Sequence, residues 1–182
     1  YDSHTGTTAI DMDIDYVRIW QDDAMPSATV ASAQTTSAPG FNDQGKADIA
    51  SYYENVSGTS LESGTVVTIA DGTTTAVTIS PESYHQSLIG VISSNPASDT
   101  TLGINKGNDV LVTQYGRASV KVSTENGPIK KGDLLTSSSI PGVAMKATAA
   151  GQTLGKALDN YQATDTTSVG KVLAFINISS FN

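Results

Sequence analysis

The sequence predicts an all-β protein: a small β-barrel or sandwich with an internal pseudo-duplication, preceded by an N-terminal extended strand. Three observations carry this. The chain is 38% hydrophobic and only 15% charged, and Thr, Ser, Gly and Ala dominate the remainder, a mixture that favours strands and turns over helices. No window holds a sustained helical stripe of good helix formers. The apolar runs are short and separated by Gly, Asn and Asp turn signals, as in sandwiches and barrels.

Three parts follow along the chain. Residues 1–23 hold one isolated strand, "AIDMDIDYVRIWQ" at 9–21. Residues 24–40 are a Pro-bounded Ala/Ser/Thr stretch, with Met25 and Val30 as its large apolar residues. It buries little surface and reads as an extended linker, able to span on the order of 50 Å at ~3.3 Å per residue. Residues 41–182 carry most of the other apolar runs and form the β domain.

Within that domain, a short helical turn is expected at 46–53. "GTVVTIADGTTTAVTIS" (64–80) is two strands around Asp71-Gly72, a hairpin signal. "SLIGVISS" (87–94) is a buried strand containing a Gly. "DVLVTQYGRASVKVS" (109–123) alternates and is expected to break at Gly116. "NGPIKKGDLLTSSS" (126–139) opens on a second turn signal, Asn126-Gly127. "VGKVLAFINIS" (169–179) is a strong terminal strand.

The pseudo-duplication rests on two matches in the same order. "LESGTVVT" (61–68) aligns with "IKKGDLLT" (129–136), placing Gly64 on Gly132. "LIGVISSN" (88–95) aligns with "TLGKALDN" (153–160), placing Gly90 on Gly155. Each copy reads as a Gly turn, an aliphatic strand, a hairpin and an aliphatic-Gly strand. The equivalent glycines fit turn or bulge positions that a side chain would obstruct.

A formal net charge of -8 argues against nucleic acid or anionic membrane as a partner. No cysteine is present, so disulfides and thiolate metal sites are excluded. No apolar segment is long enough to span a membrane as a helix. The chain begins at Tyr1 without a basic-then-apolar leader, the expectation for a processed product or a fragment.

Candidate sites are few. Asp11, Asp13 and Asp15 alternate, and on a strand they share one face. They are candidate ligands of a loose Ca²⁺ site, against the simpler reading of a solvated acidic face that discourages wrong pairing. A helix-loop-helix Ca²⁺ loop fails, because Tyr16 stands where Gly is needed and Asp22 where Glu is needed. Ile10, Met12, Ile14 and Tyr16 line the other face, and Val17, Ile19 and Trp20 make the far end apolar on both sides. These seven are the candidate subunit-interface residues. His4 and His85 are the two histidines. "ESYHQS" (82–87) has no marked Asp to complete a Ser–His–Asp site. "GINKGN" (103–108) lacks the Ser/Thr of a phosphate loop. Asn55 heads an Asn-Val-Ser glycosylation triplet, and Asn177 heads another within an expected strand.

Two resemblances add to this. "MDIDYVRIWQ" (12–21) resembles the last strand of laminarinase-like β-glucanase jelly rolls. Their catalytic Glu-x-Asp pattern is absent, since Glu54, Glu62, Glu82 and Glu125 all lack an Asp two residues on. "DIASYY" (48–53), "LESGTVVTI" (61–69), "LIGVISSNP" (88–96) and "GRASVKVSTENGPIKKGDLLTSSSIPGVAMKA" (116–147), with "GKAL" (155–158), are similar to a C-terminal β domain of large bacterial cell-surface and phage tail-appendage proteins. Some appendage relatives cleave themselves, but no cleavage nucleophile maps onto this sequence.

A strand, a flexible reach and a β domain is the layout of subunits that donate a strand to a neighbour. The expectation is a non-catalytic, extracellular or cell-surface structural protein whose partners are copies of itself, assembling into a filament. No cofactor is required, Ca²⁺ being the one candidate. The alternatives are an accessory β module of a secreted carbohydrate-active enzyme, with surface polysaccharide as a partner, and a trimeric phage-type appendage domain.

Overall fold

The computed structural model describes residues 48–93, 101–102 and 107–181. These residues are all-β and contain no helix. The strands are β1 (Asp48–Asn55), β2 (Val66–Ile69), β3 (Ala76–Ile79), β4 (Leu88–Ile92), β5 (Thr101–Leu102), β6 (Asp109–Val122), β7 (Leu134–Ser137), β8 (Ala144–Lys146), β9 (Gly151–Ala157) and β10 (Gly170–Phe181).

Two of the expectations need correction. Residues 48–53, expected as part of a helical turn, belong to strand β1. Ile49, Tyr52 and Tyr53 are good strand formers, and β1 runs antiparallel along β6 from Asp48↔Gly116 to Glu54↔Asp109. Nor does Gly116 end a strand. β6 runs through it without a break, and Gly116 lies opposite both Asp48 on β1 and Ile176 on β10. The glycine marks a change of neighbours along one long strand.

That strand organises the fold. Its C-terminal half pairs with β10, β10 with β9, β9 with β7, β7 with β8, and β8 returns to β6 in parallel at Val122↔Ala144. These five strands close a barrel. The N-terminal half of β6 pairs with β4 and β1, and β4–β2–β3–β1 completes a second ring of pairings. β5 adds to the flank of β1 in parallel. Among the described residues β5 is the one strand with a single neighbour, so ring closure has removed nearly every open edge.

The two rings are related as the sequence repeat implies. The Gly64 amide donates to the Ile92 carbonyl and the Gly132 amide to the Ala157 carbonyl, each at 2.8 Å. In return, the amides of Ile92 and Ala157 donate to the carbonyls of Thr65 and Asp133, each at 2.9 Å. Gly64 and Gly132 hold φ of 88° and 95°. The parallel pairs Asn55↔Val77 and Val122↔Ala144 are also equivalent.

Each ring has its own core. Val67, Val77, Ile92 and Val112 fill the first. Ala118, Val120, Val122, Leu135, Leu154 and Ile176 are among those filling the second. β2 and β4 form the wall between them. Val66, Leu88 and Val91 pack into the second core, while Val67 and Ile92, with half-buried Ile89, pack into the first. This explains the near-continuous apolar run "LIGVI": a strand buried on both faces does not alternate. The pairing of β2 with β4 steps from Val67↔Gly90 to Thr68↔Leu88. Ile89 is therefore an extra, bulged residue, which sets Leu88 and Val91 on the same side.

Candidate functional site

The sequence-predicted interface residues Ile10, Met12, Ile14, Tyr16, Val17, Ile19 and Trp20 lie outside the described residues, as do Asp11, Asp13 and Asp15. The linker 24–40 lies outside them too. Among the described residues no group of three or more His, Cys, Asp or Glu side chains is placed to hold a metal ion, and no helix is long and apolar enough to cross a membrane.

The outer face of β1, β6 and β10 carries an apolar row. Ile49 stands opposite Tyr115, and Tyr115 opposite Asn177. Ile49 is 40% and Tyr115 50% exposed. The Tyr115 ring meets Phe175 edge-on, with centroids 5.2 Å apart and planes at 80°. An exposed aromatic and a branched aliphatic side by side on a rigid sheet form a surface suited to packing.

Asn55 closes β1 with its side chain engaged. Its Nδ2 donates to the Thr59 carbonyl at 2.7 Å, and its Oδ1 accepts from the Ser57 amide at 3.0 Å and the Ser57 hydroxyl at 2.7 Å. The triplet that reads as a glycosylation signal thus forms an Asx turn. Asn177 is exposed on β10. His85 takes no part in a triad among the described residues: its Nδ1 accepts the Ser87 amide at 3.2 Å.

Its neighbour Tyr84 was not singled out by sequence. It is the one non-glycine of positive φ among the described residues, at 54°. Its phenolic oxygen accepts from the amides of Thr148 (3.0 Å) and Ala149 (3.2 Å) and from Asn126 Nδ2 (3.0 Å). Burial works against ionisation, but these hydrogen bonds, with that of the Thr148 hydroxyl, outweigh it and hold the phenol below its ordinary range. Tyr84 fastens the β3–β4 loop onto the β8–β9 turn. Asp48, also unmarked by sequence, is a buried carboxylate that accepts from Thr113 Oγ1 at 2.6 Å and Ser93 Oγ at 3.1 Å.

A cleft of about 570 Å³ opens where the β1–β2 loop meets β6 and β10. Leu61, Ile79, Val143 and Val169 supply its apolar walls, and Glu62, Lys121 and Lys171 its charges. Lys121 Nζ lies 2.9 Å from Glu62 Oε2. The hydrogen bond and charge of Lys121, with a smaller contribution from Lys171, hold the Glu62 carboxyl below its usual range. Lys121 and Lys171 themselves stand directly opposite each other on β6 and β10. Lys121 sits in the alternating strand "SVKVS", so its outward position was legible, whereas "VGKVL" around Lys171 does not alternate. Their adjacency depends on a strand pairing that sequence does not announce.

No protein-family model matches the chain, and comparison with curated proteins finds no match. A solved structure does share its fold. The pre-mature bacteriophage phi29 gene product 12 is similar over 78% of this chain at a TM-score of 0.54 and 15% identity. The chain spans 22% of that protein's length. The C-terminal fragment of bacteriophage phi29 gene product 12 is similar over 71% of this chain and 100% of its own length, at a TM-score of 0.48 and 15% identity.

Proposed function

We propose that the chain is a non-catalytic structural β module that assembles with copies of itself outside the cell, as a phage-type appendage domain does. The observation that carries this is the exposed Ile49–Tyr115 row, extended by Phe175, on the outer face of β1, β6 and β10. Shared fold with phage phi29 gene product 12 supports the same reading.

The form of assembly follows from the edges. A donated strand needs a row of open amides and carbonyls. Among the described residues, only the two-residue β5 has a single neighbour. Face-to-face packing of the apolar row therefore takes precedence over filament formation by donation of residues 9–21.

Sedimentation velocity on the full chain tests this. Self-association that Tyr115→Ser weakens, and that Ile14→Pro leaves intact, supports face packing. Association abolished by Ile14→Pro and untouched by Tyr115→Ser restores strand donation. A monomer at all concentrations that co-sediments with insoluble polysaccharide overturns both, in favour of an accessory module of a carbohydrate-active enzyme.

A further inference from the structure

The cleft between the β1–β2 loop and β10 holds an arrangement that stability alone does not explain. Lys121 and Lys171 are cross-strand partners on one face of an antiparallel pair. Like charges directly opposite each other on neighbouring strands are unfavourable. Glu62 reaches in from the loop and pairs with Lys121 at 2.9 Å, yet its own side chain remains 76% exposed. Glu62 compensates Lys121 alone, so the three charged side chains lining the cleft sum to one positive charge. The protein around it carries a formal net charge of -8, so a positive cleft is a local exception rather than a general property of the surface.

We propose that this cleft binds a small carboxylate ligand with a compact aliphatic body, its carboxylate seated between the Lys121 and Lys171 ammonium groups. Glu62, paired with Lys121, is the internal counter-ion with which such a carboxylate competes. An ammonium is a compact point charge with three donors and no preference for a planar bidentate partner, so it accepts a carboxylate from the ligand as readily as one from the loop. Leu61, Ile79, Val143 and Val169 provide aliphatic contact and no aromatic platform. The body they fit is therefore aliphatic rather than a stacked ring. The volume of about 570 Å³ lies within the range of small-molecule sites. This site is independent of the assembly reading, since it lies apart from the Ile49–Tyr115 row.

The test is an NMR titration of the full chain with hexanoate and, separately, its neutral isostere hexanamide. Hexanoate is expected to shift the methyl resonances of Leu61, Val143 and Val169 saturably, and hexanamide much less. Lys171→Ser and Lys121→Ser each weaken hexanoate binding, and raised salt does the same. Glu62→Gln removes the internal competitor and is expected to tighten binding by about two- to five-fold, the scale of one exposed ion pair. A merely structural ion pair predicts no gain from that substitution. Equal binding of acid and amide overturns the proposal. So does hexanoate affinity unchanged in both lysine variants, or weakened in Glu62→Gln.

Discussion

Gly90 and Gly155 are equivalent in the two rings, and each lies against a carbonyl of the strand beside it. A Cβ on Gly90 would overlap the Thr113 carbonyl oxygen, and one on Gly155 the Phe175 carbonyl oxygen. Their φ angles, 157° and 148°, lie in the same region. The same close approach of β4 to β6 and of β9 to β10 thus occurs twice. Gly90→Ala and Gly155→Ala should each cost on the order of 3–5 kcal/mol, because the obstructing atoms are backbone and cannot turn aside. Urea denaturation checks this; a loss below about 1 kcal/mol at either position would show that the strands separate easily there.

Tyr84→Phe should cost about 1–3 kcal/mol, since it leaves the amides of Thr148 and Ala149 and the Asn126 side chain short of an acceptor. The effect should depend on pH. The folded phenol ionises below its ordinary value, whereas the unfolded one titrates near ~10. Stability linked to Tyr84 therefore grows as pH rises through the folded value and is complete above the unfolded one. The gap between wild type and Tyr84→Phe should widen from pH 7 to pH 10. A constant gap would mean that the phenol does not ionise early.

Asp133 acts in the same direction, in an acidic window. Its Oδ2 accepts the Lys130 amide at 2.8 Å and pairs with Lys146 Nζ at 2.9 Å. Burial opposes ionisation, but these partners outweigh it and hold the carboxyl below its usual range. The stabilisation is present above the unfolded value near ~3.9 and is lost as pH falls through the folded one. Asp133→Asn should cost about 1–2 kcal/mol at pH 7 and converge on wild type in acid. Thermal melts at pH 7 and below pH 4 test it, and an undiminished difference in acid would rule the linkage out.

Tyr115 and Phe175 should couple. A double-mutant cycle of Tyr115→Ala and Phe175→Ala should return about 0.5–1.5 kcal/mol for the edge-on ring pair. Measured on dilute monomer, that coupling separates the intrachain contact from any contribution of self-association. A coupling near zero would mean the rings are held by the sheet and not by each other.

Much of this architecture was written locally. The hairpin at Asp71-Gly72, where Gly72 has φ of 72°, needs four neighbouring residues and their turn chemistry. The pairs Gly64 with Gly132 and Gly90 with Gly155 could be aligned because each answers a backbone demand that no other residue meets cheaply. The alternation in "SVKVS" showed that Val120 and Val122 point one way and Lys121 the other. What sequence could not show was which strands are neighbours. The helical expectation at 46–53 failed because β1 is stabilised by pairing with residues roughly sixty positions away on β6, a contact with no local signature. The expected break at Gly116 failed for the same reason: β6 stays continuous because β1 and β10 flank it there. The sequence by itself determined the turns, the repeat and the faces of the strands. Ring closure, the double-sided wall of β2 and β4, the Tyr84 fastening and the meeting of Lys121 with Lys171 were decided by tertiary structure, because a period of two records that a strand has a buried face and not what lies against it.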